Sequence, residues 1–103
     1  MKAQIYTFNT WIETTDPYKL KLELEDMLIK SGFGIQDRSE KHFTPQGYSC
    51  VWLLSESHLA IHTFPEHECA SLELSSCVKA PFIEFVSLVV NGYNKDKTEI
   101  NNG

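Results

Sequence analysis

Between Leu53 and Cys77 the chain reads LLSESHLAIHTFPEHECASLELSSC, a stretch that holds three of its four histidines and two of its three cysteines. Ser57 follows a carboxylate residue, Glu56, and precedes His58, with His62 five positions on. A serine hydroxyl within reach of an imidazole is the material of nucleophilic catalysis, because the imidazole can take the hydroxyl proton. Strand side chains alternate faces with a period of two, so this spacing sets Ser57 and His62 on opposite faces, and their cooperation needs a bend at the Ser55-Glu56-Ser57 step. By residue type alone Ser57 serves equally as a strand-end hydroxyl, and His62 as a hydrogen-bonded core or surface imidazole. His58, His62, His67, Cys69 and Cys77 include acceptable zinc ligands. On a strand, however, His58 and His62 lie about 13 Å apart and no Cys-x-x-Cys occurs, so no metal is expected.

The elements that must position these residues follow from periodicity. Residues 3–12 carry Ile5, Phe8, Trp11 and Ile12 in imperfect alternation and predict a first strand. Thr15 and Asp16 offer capping oxygens, Pro17 suits a first helical turn, and Leu20, Leu24, Met27, Leu28 and Ile29 repeat with a mostly helical period, which predicts a helix over 16–31. Gly32 and Gly34 mark its exit, and a strand over about 33–43 follows. After a turn at Pro45–Gly47, residues 48–55 are apolar on both faces, as in a central strand. Residues 58–64 and 69–77 predict two more strands around the Pro65–His67 turn. In the second, Leu72 and Leu74 alternate with Ser71, Glu73 and Ser75, so one sheet face should meet water. Pro81 opens a second helix with Phe82, Phe85, Val86, Val89 and Val90 on one side, ended by Asn91-Gly92. The expected fold is α+β: a two-layer sandwich, an antiparallel sheet with two helices on one face.

A chain of 103 residues supports one domain, placed at 1–93, with a polar, frayed tail at 94–103. So small a core makes a homodimer a reasonable expectation. Nine basic against fourteen acidic residues give a net charge of −5, and no basic run exceeds a pair. That excludes a nucleic-acid footprint and suits a cationic ligand. No apolar run approaches a membrane span of roughly 20 residues, and the N-terminus lacks a signal-peptide core. With three cysteines that read as free thiols, the expected location is a reducing one, the cytoplasm.

The run Ser55-Glu56-Ser57-His58-Leu59, then Ile61-His62-Thr63-Phe64-Pro65-Glu66, then Cys77, resembles the bacterial and archaeal S-adenosylmethionine decarboxylase proenzymes, which are pyruvoyl-dependent. The approach His42-Phe43-x-Pro45-x-Gly47-x-Ser49 is similar to that family's as well. The resemblance implies that Ser57 attacks the Glu56 carbonyl, that the chain is cut between them, and that Ser57 becomes a pyruvoyl group. It further implies that Ser49 and His62 assist processing, with His62 as the base. The pyruvoyl group would serve as the electron sink for decarboxylation, with neither pyridoxal phosphate nor a metal. Cys77 would return a proton to carbon, a task open to a thiol that is mostly protonated at neutral pH.

For substrate, the resemblance implies that Phe43 and Phe64 flank an adenine and that Glu66 binds ribose hydroxyls. Phe64 stands where the family has tryptophan, which narrows the stacking surface. The implied function is supply of decarboxylated S-adenosylmethionine for spermidine synthesis by a homodimer with sites near the subunit interface. His67-Glu68-Cys69 and the Tyr48 and Cys50 neighbours of Ser49 depart from the family pattern. Two alternatives therefore stand: a pyruvoyl-dependent decarboxylase of arginine or ornithine, and an unprocessed, non-catalytic family member. The intact set Ser49, Glu56, Ser57, His62 and Cys77 argues against the second.

Overall fold

A computed structural model describes residues 4–93 and, as backbone, 98–102. Asp16 caps the first helix, α1 (Pro17–Ser31), by accepting from the N–H groups of Tyr18 and Lys19, with Pro17 at its first position. Gly32 ends the helix in the left-handed conformation at φ 96°. The N–H of Phe33 then reaches back to the carbonyl of Leu28 at 3.0 Å, which satisfies an otherwise orphaned acceptor. The second helix, α2 (Lys79–Gly92), begins two residues before Pro81. Proline is tolerated there because its missing N–H belongs to a turn that has no intrahelical partner.

The strands are β1 (Tyr6–Ile12), β2 (Ile35–His42), β3 (Tyr48–Leu54), β4 (Ser57–Phe64), β5 (Cys69–Ser76) and β6 (Thr98–Asn102), with a 3-10 turn at Pro65–His67. They form one sheet in the order β2-β3-β4-β5-β1-β6, with every pairing antiparallel. Phe8 and Ile12 of β1, Cys50, Trp52 and Leu54 of β3, Leu59 and Ile61 of β4, and Leu72 and Leu74 of β5 share one face. They meet Leu20, Leu24 and Leu28 of α1 and Phe82, Phe85 and Val89 of α2 in a single core. The expected two-layer sandwich, with both helices on one side, is the fold observed.

Two expectations change. The polar tail lies partly outside the described residues, but Thr98–Asn102 is a sixth strand that pairs with β1 from Tyr6↔Asn102 to Thr10↔Thr98. The free edge of β1 presents unpaired backbone groups that the polar segment can satisfy whatever its side chains. β3 is interior to the sheet, yet only its helix-facing side is covered: Val51 and Leu53 are exposed on the other face. Ser49 and His62 also lie on that open face.

At the β2 edge, ionic contacts take over from apolar burial. Glu25 of α1 accepts from Trp52 Nε1 at 2.8 Å and from the Arg38 guanidinium, and Arg38 also pairs with Glu40 at 3.4 Å. Glu40 accepts from the Tyr48 hydroxyl at 2.8 Å, with Lys21 3.6 Å away. Burial pushes the Glu25 carboxyl up, but the hydrogen bonds from Trp52 and Arg38 outweigh it and leave it below its ordinary value of 4.5. A depressed carboxylate contributes stability that is present above that value and lost as pH falls through its folded pKa. Glu25→Gln should therefore cost about 1–2 kcal/mol at neutral pH and flatten the acid limb below about pH 4.5, read from melting temperature against pH.

Candidate active site

Leu54 pairs with Ser57, so Ser55 and Glu56 alone make the turn between β3 and β4. Glu56 takes the left-handed conformation at φ 58°, which costs a side-chain-bearing residue about 1–2 kcal/mol. The turn is braced from outside: the Ser55 N–H donates to Gly34 O at 3.2 Å, and Gln36 Nε2 donates to Ser55 Oγ at 3.1 Å. Only strong surroundings keep a glutamate there, and the strained residue is the one preceding the candidate nucleophile.

On the other side of β4, β5 meets the same step. Ser57 stands opposite Ser76, and the Cys77 N–H donates to the Glu56 carbonyl oxygen at 3.3 Å. Ser57 Oγ donates to Ser76 Oγ at 2.7 Å, and both serines are buried. Cys77 is exposed and lines, with Glu56, Ser57 and His58, a cleft of about 340 Å³. A polarised carbonyl, a fixed hydroxyl and a thiol thus converge at one end of the sheet. The N–H on the carbonyl oxygen is placed where negative charge would develop if Ser57 Oγ attacked the Glu56 carbonyl carbon.

His62 is not part of this group. β4 runs unbroken from Ser57 to Phe64, without the bend that cooperation within one chain needs, so Ser57 faces the helices and His62 the open face. The two residues are about 17 Å apart along the strand. His62 instead pairs with Ser49 of β3, Nδ1 to Oγ, at 2.6 Å. In the tautomer whose Nδ1–H donates to Ser49, Nε2 keeps its lone pair and can act as a base.

The third group sits at the sheet end opposite Ser57. Phe43 is half exposed in the β2–β3 turn, which its N–H closes onto Gly47 O at 2.8 Å. Gln46 of that turn donates to Glu66 at 3.3 Å. Phe64 packs its ring 5.8 Å from Trp11. Trp11, half exposed on the open face, was legible only as an apolar residue out of phase with Phe8 and Ile12. Ser76 and Gln46 carry no motif of their own and become visible only through strand pairing. Tyr48 and Cys50, which depart from the family pattern, point into the core on the side away from Ser49, so they do not alter the open face.

An antiparallel sheet with two helices on one face, with the candidate serine on a hairpin at its end, defines a small two-layer α+β protein. Solved structures share it. The crystal structure of the adenosylmethionine decarboxylase from Aquifex aeolicus superposes with a TM-score of 0.77 at 19% identity, covering 100% of this chain and 91% of that one. The Trypanosoma brucei AdoMetDC-delta26 monomer gives a TM-score of 0.50 at 13% identity, covering 88% of this chain and 42% of that one. The family model described as S-adenosylmethionine decarboxylase matches residues 7–102, and the chain belongs to that family. Similar proteins named S-adenosylmethionine decarboxylase proenzyme include one from Geobacillus sp. (strain WCH70), 50% identical over 52 residues, and one from Shouchella clausii, 35% identical over 79. The matches cover 50% and 73% of this chain, and 42% and 61% of those relatives. The resemblance read from the motif is borne out at the level of the family.

The left-handed glutamate yields a direct test. In a Ser57→Ala background, Glu56→Gly should raise stability by about 1 kcal/mol, read as a higher denaturation midpoint at unchanged slope.

Proposed function

We propose that the chain is the proenzyme of a self-cleaving, pyruvoyl-dependent S-adenosylmethionine decarboxylase, a cytoplasmic enzyme that serves spermidine synthesis. The observation that carries this is the Glu56–Ser57 step itself, with the carbonyl oxygen on the Cys77 N–H and the serine hydroxyl buried beside it. In the first step the Ser57 Oγ–C bond to Glu56 forms, the peptide C–N bond breaks, and the hydroxyl proton ends on the Ser57 nitrogen. Loss of the Ser57 Cα proton then expels residues 1–56 as a carboxylate. Water replaces the nitrogen, which leaves as ammonia, and a pyruvoyl group heads residues 57–103. That group supplies the electron sink for decarboxylation, with no pyridoxal phosphate and no metal required.

The other residues take the roles the family pattern suggests. Ser49 orients His62 as the processing base, Phe43 and Phe64 stack on the adenine, and Glu66, held by Gln46, accepts from the ribose hydroxyls. The exposed Cys77 thiol protonates carbon after carbon dioxide leaves. A sulfonium beside Phe64 and Trp11 gains about 0.5–2 kcal/mol from cation–π attraction.

These groups lie at two ends of one strand, about 23 Å apart from Ser57 to Phe64, which favours a homodimer. The open face exposes Trp11, Val51 and Leu53, an apolar surface suited to a second copy. A two-fold axis between two such faces, crossing the strands, swaps their ends and brings His62, Phe64 and Glu66 of one copy towards Ser57 of the other.

Intact mass should resolve two fragments, residues 1–56 and 57–103, the second blocked to N-terminal sequencing; Ser57→Ala should remain whole, and a wild-type chain that stays uncut overturns the reading. Ser57→Ala and His62→Ala should each stay uncut alone, whereas co-expression should cut the His62→Ala chain; absence of complementation would return the base to the same chain. Cys77→Ala should still cleave but lose most carbon dioxide release. Carboxyl-labelled S-adenosylmethionine, arginine, ornithine and lysine, supplied separately, should yield label only from the first; release from a basic amino acid alone rejects the substrate and leaves the pyruvoyl chemistry standing.

A further inference from the structure

β5 turns four side chains towards the helices, Ala70, Leu72, Leu74 and Ser76, and the last is a hydroxyl with 1% of its surface exposed. A hydroxyl so deeply buried is costly unless its bonding capacity is used. Ser76 uses all of it. Its Oγ accepts from the Val78 N–H at 2.9 Å, donates to the Val78 carbonyl at 3.3 Å, and accepts from Ser57 Oγ at 2.7 Å.

With its single proton committed to Val78, Ser76 can only accept from Ser57, so the direction of the bond between the two serines is set. The Ser57 proton points at Ser76. Its lone pairs are turned away from Ser76 and left free for the adjoining Glu56 carbonyl carbon. The neighbouring Cys77 N–H, on the same segment, holds the carbonyl oxygen. Ser57 and Ser76 are direct cross-strand partners, so this aim is tied to the sheet register and not to a mobile loop.

We infer that Ser76 is a positioning residue for self-cleavage: it orients the Ser57 hydroxyl for the acyl shift and has no part in the later decarboxylation. This rests on the self-cleavage reading. Ser76 is not the base, since a neutral hydroxyl whose own proton is bound to a carbonyl cannot carry away a second one. Its contribution is geometric, and misaimed nucleophiles lose about tenfold to a hundredfold in rate.

The test follows fragment appearance by intact mass in wild type, Ser76→Ala, Ser76→Cys and Ser76→Thr, with thermal melting to confirm that each folds. Ala and Cys, which remove or weaken the acceptor, should slow cleavage by about tenfold or more, and Thr, which keeps it, should restore most of the rate. If Ser76→Ala does not fold, the near-isosteric Cys variant decides. Hydroxylamine adds a readout that simple destabilisation would not move. It cuts an accumulated ester, so the slow variants should resist it if the defect lies in the acyl shift. Wild-type cleavage rates in Ala or Cys, or rapid hydroxylamine scission of the slow variants, overturn the inference while leaving self-cleavage intact. A wild-type chain that never cleaves removes the self-cleavage reading and this inference with it.

Discussion

The alternation of β4 is the constraint on which the rest depends. Its register is set on both sides, by Ser49↔His62 to Leu54↔Ser57 with β3 and by Ser57↔Ser76 to Phe64↔Cys69 with β5. A slip of one residue would turn Leu59 and Ile61 to the open face and His62 into the core, so the apolar side fixes the polar one. Because Ser57 shares the parity of Leu59 and Ile61, its hydroxyl is committed to the helix side. The histidine five residues later is committed to the opposite side. The candidate groups therefore divide between two faces and two ends of one strand, and the sheet is the ruler that keeps them apart.

The helix layer sustains that commitment. Leu20, Leu24 and Leu28 of α1 and Phe82, Phe85 and Val89 of α2 cover the middle strands, while the outer strand β2 is polar along most of its length. There the Glu25, Arg38 and Glu40 network closes over Trp52 and Tyr48. Burial pushes the Tyr48 phenol well above its usual range, so it stays a hydrogen-bond donor to Glu40 at any ordinary pH. This fixes the helix-facing side of β3, and by alternation it presents Ser49 outward beside His62.

Much of this was readable from local pattern. The Asp16-Pro17 start and Gly32 end of α1, the alternation of Leu72 and Leu74 with serines and a glutamate, and the run from Ser55 to Glu66 each carry their meaning within a few residues. What escaped is pairing across the chain. Ser76 looks like one more strand serine until it is set opposite Ser57, nineteen positions away. Glu25 meets Trp52 only because α1 lies over β3, and Thr98–Asn102 becomes a strand only because β1 has an open edge. The conflict between Ser57 and His62 was visible as a difference in parity. The absence of a bend to resolve it is a property of the two neighbouring ladders.

Under the proposed cut at Glu56–Ser57, the strand order would govern the fate of the two pieces. The first piece owns β1, α1, β2 and β3, and the second owns β4, β5, α2 and β6. In the sheet they alternate as two strands of the first, two of the second, one of the first and one of the second, with three seams between pieces. The halves are interleaved like fingers, and neither can leave without opening ladders in the middle of the sheet. Folding before the cut is a single-chain search, whereas reassembly after it would be an encounter of two partners, each lacking half a core. Maturation by such a cut would be a one-way ratchet: the persistence of the cut form would be a matter of how slowly the seams open.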